Sequence, residues 1–126
     1  MLRLGADLFT SGRSKFSDSV PGRMEPTAKV YVKLRIGGVD RTVLAQLDTG
    51  AAWSILDSGI AEELGHLVRL PLTLVADEGE SLETEGIFFV CRDWPVDLTF
   101  LGYSGLLDSI RFALDPQVNH FYFGSS

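Results

Sequence analysis

Alternation of apolar and polar side chains is the feature that most restricts how this chain can fold. Residues 29–36, KVYVKLRI, place four branched apolar side chains on one side and Tyr, Lys and Arg on the other. A period of two residues is typical of a strand with one buried face. The residues GGVD then supply turn chemistry, and RTVLAQL predicts a second strand. Together they predict a hairpin that leads directly to Asp48.

The rest of the pattern predicts further strands and two short helices. The segment DSGIAEELG offers an N-cap at Asp57 or Ser58 and Gly65 as a terminator, so a short helix fits. Apolar runs at residues 67–76 and 81–91 flank the acidic turn DEGE and predict a second hairpin. The last third predicts a strand at 96–102, a short helix at 103–110, and strands at 111–115 and 120–124. Many short strands with two short helices indicate a mainly β fold.

Length and composition suit one folded domain preceded by an arm. The chain has 126 residues, of which 45% are hydrophobic and 22% are charged, as in globular proteins. Residues 10–27 are rich in Ser, Gly and Pro and carry few apolar anchors. We therefore expect a flexible N-terminal arm over residues 1–27 and a folded domain over residues 28–126.

Charge is divided unevenly along the chain. Residues 1–41 hold eight Lys/Arg and four Asp/Glu (net +4), whereas residues 42–126 hold three and thirteen (net −10), which sum to −6. An acidic body disfavours binding to a phosphate backbone, so we expect no nucleic-acid partner. No apolar run is long enough to span a membrane, and no signal-peptide region is recognisable. With Cys91 as the single cysteine, these features predict a cytoplasmic protein without a membrane partner.

One carboxylate and one hydroxyl interrupt the apolar pattern in AQLDTGAAWSIL, residues 45–56. Burying an acid is costly unless it is paired or hydrogen-bonded, so Asp48 is either a satisfied structural group or a chemically tuned one. In the structural alternative, the Asp side chain simply caps nearby amides of a turn. Asp57, Asp77 and Asp108 stand at helix starts or turns, and we interpret them as structural.

The string LDTGA after a strand, followed by FLG and the short helix GLLDSI, resembles the retropepsin-like aspartic proteases, single-domain relatives of pepsin. The resemblance covers roughly residues 28–115 and implies a closed, barrel-like β fold. The two motifs are 54 residues apart, and in that family they pack side by side. The closing residues, RFALDPQVNHFYFG, also look like the C-terminal tail of bacterial members of the group.

The resemblance implies an aspartic endopeptidase whose catalytic residues are Asp48, Thr49 and Gly50. Peptide hydrolysis of this kind uses two carboxylates that share one proton, and the chain has one Asp-Thr-Gly. A second copy must supply the other carboxylate, so the resemblance implies a homodimer acting on a peptide or protein substrate. We expect no cofactor and no metal, because His66 and His120 lack partners at ligand-like spacing.

Substrate contacts are expected at Ala51, Trp53, Gly79 and Gly102. Trp53 is a candidate pocket wall because it lies five residues past Asp48. Gly79 belongs to the acidic hairpin turn, which is the available counterpart of the flap, the glycine-rich hairpin that closes over substrate in relatives. Its acids attract basic peptides if the hairpin borders the cleft; alternatively, alternation merely turns the acids of the following strand to solvent.

Two departures from the family pattern leave a second function open. Viral members carry an acid after Asp-Thr-Gly-Ala and an Arg after the later glycine, and these pair at the dimer interface. This chain has Ala52 and Trp53 at the first place and Tyr103 and Ser104 at the second, so other contacts, such as aromatic ones, must hold a dimer. Together with the unrecognised flap, this allows the alternative of a weak or inactive peptide-binding or dimerisation module.

Overall fold

The computed structural model describes residues 1–18, 29–64, 69–91, 93–95 and 98–126. Within these ranges the chain forms β1 (Arg3–Leu4), β2 (Asp7–Leu8), β3 (Gly12–Lys15), β4 (Val30–Ile36), β5 (Thr42–Leu47), β6 (Ser54–Leu56), α1 (Ser58–Leu64), β7 (Arg69–Leu74), β8 (Glu78–Gly79), β9 (Leu82–Val90), β10 (Phe100–Leu101), a 3-10 helix (Leu107–Ser109), β11 (Ile110–Asp115) and β12 (His120–Ser125). The mainly β prediction is confirmed. Both predicted hairpins are present, as β4–β5 and β7–β9.

Six strands close into a barrel in the order β10-β5-β4-β7-β9-β6. The predicted alternation places Val32, Leu34 and Ile36 of β4 in the interior, each 2% exposed or less. They pack there with leucines of β7 and with Phe88 of β9. Burial of these apolar side chains is the main stabilising contribution, at about 25 cal/mol for each Å² removed from water.

Outside the barrel, β11, β12, β3 and β8 form a four-stranded sheet in that order. Here the structure differs from the expected flexible arm, because Gly12–Lys15 is a strand paired with β12 and Phe16 is buried. The small residues Gly12 and Ser14 face Phe123 and Phe121 across the pairing, so this strand needs few apolar side chains of its own. Residues 19–28 lie outside the described residues, and the domain start at residue 28 stays a prediction.

The first predicted helix is present with the expected N-cap, and the second is shorter than its sequence pattern. The α-helix ends at Leu64, and its expected terminator Gly65 lies outside the described residues. Of the strand predicted over 96–102, Phe100–Leu101 is the part that forms among the described residues, and the helical pattern over 103–110 yields a 3-10 helix at Leu107–Ser109. None of the helices in the described ranges has the length and apolar character needed to cross a membrane.

The uneven charge distribution has a structural counterpart. Among the described residues, ion pairs that join a cation of the basic N-terminal third to an acid of the remainder include Arg13–Glu78, Lys33–Asp77 and Arg41–Glu63. The first two connect β3 and β4 to the turn of the β7–β9 hairpin. Part of the opposite charge of the two segments is therefore neutralised within the fold.

Candidate active site

Asp48 follows directly after β5 and begins a tight turn. Its backbone amide donates a hydrogen bond to the carbonyl of Leu101 at 3.0 Å, and its carbonyl accepts one from Ala51 at 3.1 Å. The side-chain Oδ1 accepts the amide of Gly50 at 3.0 Å. The half-buried carboxylate is thus fixed through one oxygen, while Oδ2 has no hydrogen-bond partner among the described residues. Such an oxygen is available to a water molecule or to another carboxyl group.

The FLG segment packs against the Asp-Thr-Gly turn, as the resemblance implies. Strand β10 runs parallel to β5 on one side and antiparallel to β6 on the other. The amide of Gly102 donates to the buried Oγ of Ser54 at 2.9 Å. A Cβ on Gly102 would overlap the carbonyl of Trp53, so only glycine allows this close approach. The structure therefore brings Asp48, Trp53 and Gly102 into one locality.

Two backbone hydrogen bonds join the segment after Gly50 to the segment after Gly102. At these positions the chain lacks the ion pair that viral proteases carry. The amides of Tyr103 and Ser104 donate to the carbonyls of Ala51 and Ala52, each at 2.8 Å. The next turn is held by the amide of Leu107, which donates to the carbonyl of Gly102 at 3.3 Å. Within one chain, main-chain bonding thus holds these segments together without charge.

The residues at the tip of the turn are open to solvent. Thr49 and Gly50 are both exposed. A Cβ at Gly50 meets only Oδ1 of Asp48, at 3.3 Å, among the described atoms. The backbone of the single chain does not require glycine at this position. A requirement for a small residue at Gly50 would come from another molecule, such as a second copy of the chain, that packs on the turn.

Two aromatic side chains form an exposed pair beside the turn. Trp53 and Phe89 are 48% and 46% exposed, and their ring centroids lie 5.3 Å apart in an edge-to-face arrangement. Sequence reasoning singled out Trp53 and missed Phe89. The signal was present, because alternation along β9 that buries Phe88 must turn Phe89 outward.

Two acids near this locality are structural, as the sequence predicted. Asp57 is 3% exposed; its Oδ1 caps the α-helix by accepting the amide of Ile60 at 3.0 Å, and its Oδ2 accepts the Thr99 hydroxyl at 3.0 Å. Asp108 accepts the amide of Gly105 at 3.1 Å in the turn before the 3-10 helix. Among the described residues, no cluster of His, Cys, Asp or Glu is arranged to hold a metal ion.

The acidic hairpin turn lies against β3. Gly79 pairs with Gly12, and the atoms nearest to its position belong to Ser11, Met1 and Gly12. Asp77 is bound by the Lys33 ammonium and by the Lys15 backbone amide, and these two contacts, in that order, hold the pKa of its carboxyl below the usual value. No described contact joins Gly79 to the Asp48 turn, so the substrate-binding role of Gly79 stays a prediction that these contacts do not support.

Comparisons with known proteins give a clear result for the fold. No protein-family model matches the sequence, and no curated protein matches it. The structure is similar to the retroviral protease-like domain of Ddi1 from Leishmania major, with a TM-score of 0.54, 21% identity and coverage of 79% of this chain and 94% of that one. It is also similar to a retropepsin-like aspartic protease from Rickettsia conorii, with a TM-score of 0.56, 19% identity and coverage of 91% and 93%. The chain therefore has the retropepsin-like fold, as the resemblance implied.

Proposed function

We propose that this chain is an aspartic endopeptidase that works as a homodimer, with Asp48 of each copy forming one catalytic pair. The observation that carries the proposal is the Asp48 carboxylate, anchored through Oδ1 on a turn supported by β10, with Oδ2 unpartnered among the described residues. The exposed tip, Thr49 and Gly50, leaves room for a second copy to approach. The fold shared with a retropepsin-like aspartic protease and with a retroviral protease-like domain of known structure supports the same conclusion.

The chemistry follows from two carboxyl groups that share one proton. The ionised carboxylate takes a proton from a water molecule while the water oxygen attacks the carbonyl carbon of the scissile peptide bond. The protonated carboxyl group gives its proton to the carbonyl oxygen, and a tetrahedral gem-diol forms. Its collapse breaks the C–N bond: one diol hydroxyl gives its proton to the ionised carboxylate while the other carboxyl group protonates the leaving nitrogen, so the pair again holds one proton. No cofactor or metal takes part in these reaction steps.

Residues around the pair have separate roles in the proposal. The Thr49 hydroxyl can donate and accept, so it is suited to bonding across the two-fold axis and keeping both turns rigid. Gly50 lets the second chain come close. Ala51, Trp53 and Gly102 border the path of the substrate backbone. The protein acts in the cytoplasm on peptides or unfolded proteins, without nucleic-acid or membrane partners.

The second candidate is a peptide-binding or dimerisation module of the same fold with weak or no turnover. The contacts of the acidic hairpin favour it, because Gly79 is paired with Gly12 and Asp77 is bound to Lys33. No described contact joins this hairpin to the Asp48 turn. Without a closing element, water is less well excluded and hydrolysis is slower.

Substitution of Asp48 separates the two candidates. Purified wild-type protein is expected to cleave an unfolded protein substrate, with an optimum below neutral pH because the pair needs one proton. Asp48→Asn should abolish cleavage and keep the fold, because an amide cannot act as the base. Asp40→Asn, the same change at an exposed position, is the matched control and should retain full activity. Equal cleavage by wild type and Asp48→Asn would overturn the endopeptidase proposal.

A further inference from the structure

We infer that Asp57 is a positioning residue for Asp48 and that it acts through the Thr99 hydroxyl and strand β10. The inference rests on the proposed function, in which the Asp48 carboxylate does the chemistry, and it gives a buried acid a role beyond capping the α-helix. The Asp57 amide donates to the Thr99 hydroxyl at 3.1 Å, and that hydroxyl donates to Oδ2 of Asp57 at 3.0 Å. We call this buried pair of hydrogen bonds the tether.

Strand β10 is too short to fix its own position along the barrel. It has two residues, so few main-chain hydrogen bonds define its register between β5 and β6. Side-chain groups bind both of its ends instead. Thr99, which precedes the strand, is bound to Asp57, and the amide of Gly102, which follows it, donates to Oγ of Ser54 at 2.9 Å. Because Ser54 begins β6 and Asp57 directly follows it, the two ends of β6 fix the two ends of β10.

Main-chain hydrogen bonds on the other side of β10 connect it to the catalytic turn. The carbonyl of Thr99 accepts the amide of Gln46 at 2.8 Å, and the carbonyl of Leu101 accepts the amide of Asp48 at 3.0 Å. Thr99 therefore contacts the start of the α-helix through its side chain and β5 through its main chain. A shift of β10 between its two neighbours would move the residue that bears the catalytic carboxylate.

Such a shift has a chemical consequence, because each copy in the proposed dimer contributes one Asp48 carboxylate. Two carboxylates held close together share one proton over a wide range of pH, since the charge of the first opposes ionisation of the second. Loss of the tether lets their separation vary and weakens this coupling, so the range of pH over which the pair holds one proton becomes narrower. A residue that only stabilised the fold would leave that range unchanged.

Two substitutions remove the tether and keep the helix cap. Thr99→Val preserves the shape of the side chain and loses the hydroxyl. Asp57→Ser keeps an oxygen that caps a helix, but the shorter side chain loses the bond to Thr99. Thr99→Ser restores the hydroxyl and is the conservative variant that should rescue the wild-type behaviour.

Amide hydrogen exchange tests the position of the turn without reference to activity. Exchange at Asp48 is expected to be about tenfold faster in Thr99→Val and Asp57→Ser than in the wild type, and close to the wild type in Thr99→Ser. The amide of Gly37 is the internal control, because it donates to the Pro71 carbonyl at 2.9 Å beyond the opposite end of β4. Its exchange should be the same in all four proteins.

Cleavage of an unfolded protein substrate, measured across pH, tests the chemistry. Both tether variants are expected to show a kcat about tenfold lower, a nearly unchanged KM and a narrower range of active pH, and Thr99→Ser should restore all three. Ile36→Val is the matched control for stability alone. It removes one buried carbon from the far end of β4, where Ile36 is 2% exposed, and should keep the wild-type kcat and pH range for the folded protein.

Each outcome decides the inference. Unchanged exchange at Asp48 in both tether variants, or an unchanged kcat and pH range in both, would overturn it. Exchange that rises equally at Asp48 and Gly37 would also overturn it, because Asp57 would then only stabilise the whole fold. If the wild type shows no cleavage, the proposed function fails, whereas faster exchange confined to the Asp48 region would still support the positioning role. The two failures are therefore distinguishable.

Discussion

The amide of Asp48 donates a hydrogen bond to the carbonyl of Leu101 at 3.0 Å, which ties the candidate catalytic turn to the short strand that ends just before Gly102. Two sequence motifs 54 residues apart are thereby joined by main-chain contacts rather than by side chains alone. The position of the carboxylate depends on how closely β10 can approach β6. Gly102 and Gly50 lie in the same locality, but substitution of each by alanine is expected to have a different effect.

Gly102→Ala should destabilise the protein. The added methyl group would overlap the Trp53 carbonyl, and relief of that overlap would disturb the hydrogen bond from Gly102 to Ser54. Overpacking of this kind typically costs about 1–3 kcal/mol. Chemical denaturation should show the loss of unfolding free energy, and a variant as stable as the wild type would contradict the close approach of the two strands.

Gly50→Ala should leave stability nearly unchanged and impair assembly. Its Cβ meets only Oδ1 of Asp48, at 3.3 Å, among the described atoms, and a movement of that side chain by a few tenths of an ångström relieves the contact, so we expect an effect on unfolding within about 0.5 kcal/mol. If a second copy packs on this turn, the methyl group obstructs it, and sedimentation should show a weaker dimer together with lower activity. A variant that dimerises and cleaves normally would show that nothing approaches Gly50 closely.

Thr99→Val should reveal the structural role of Asp57. The Thr99 hydroxyl donates to Oδ2 of Asp57 and also accepts the Asp57 amide at 3.1 Å, in a buried setting. Valine leaves both groups unpaired, and a buried polar group without a partner costs about 1–3 kcal/mol. Thermal unfolding should detect the loss, whereas Thr42→Val, on an exposed strand position, serves as the control. Equal stability of both variants would mean that water replaces the hydroxyl.

Local pattern was sufficient for the parts of the fold that depend on near neighbours. The strands at 30–36, 42–47 and 82–90 follow from alternation, and the Asp57 cap follows from its position before an apolar helix. The motif pairing of Asp48 with Gly102 followed from the resemblance, and the fold comparison bears out that resemblance.

What sequence reasoning missed depends on contacts that are distant along the chain. The strand at Gly12–Lys15 has small residues because Phe121 and Phe123 of another strand supply the apolar surface. The pairing of Gly79 with Gly12 is likewise invisible in the local pattern, because the two residues are far apart along the chain. The exposed side chain of Phe89 can be recognised as part of an aromatic pair only when its contact with Trp53 is known.

Asp77→Asn should lower stability at neutral pH and not at low pH. Contacts with Lys33 and with the Lys15 amide hold the folded pKa of Asp77 below its ordinary value of 3.8. A depressed carboxyl pKa stabilises the fold above pH 3.8, and this contribution is lost as pH falls through the lower, folded value. Because the pair is partly exposed, we expect about 1 kcal/mol or less. Chemical denaturation of wild type and Asp77→Asn at neutral pH and in strong acid tests this prediction, with Asp40→Asn as the control. A stability difference that persists in strong acid would contradict an ionic origin.

Subunit mixing between wild type and Asp48→Asn tests the central claim most directly. Both proteins are combined at constant total concentration, allowed to exchange subunits, and assayed for peptide cleavage. If each site needs Asp48 from two copies, activity follows the square of the wild-type fraction, so an equal mixture retains about one quarter of the wild-type rate. Activity that instead falls in direct proportion to the wild-type fraction, to about one half in the equal mixture, would contradict a shared pair of Asp48 carboxylates.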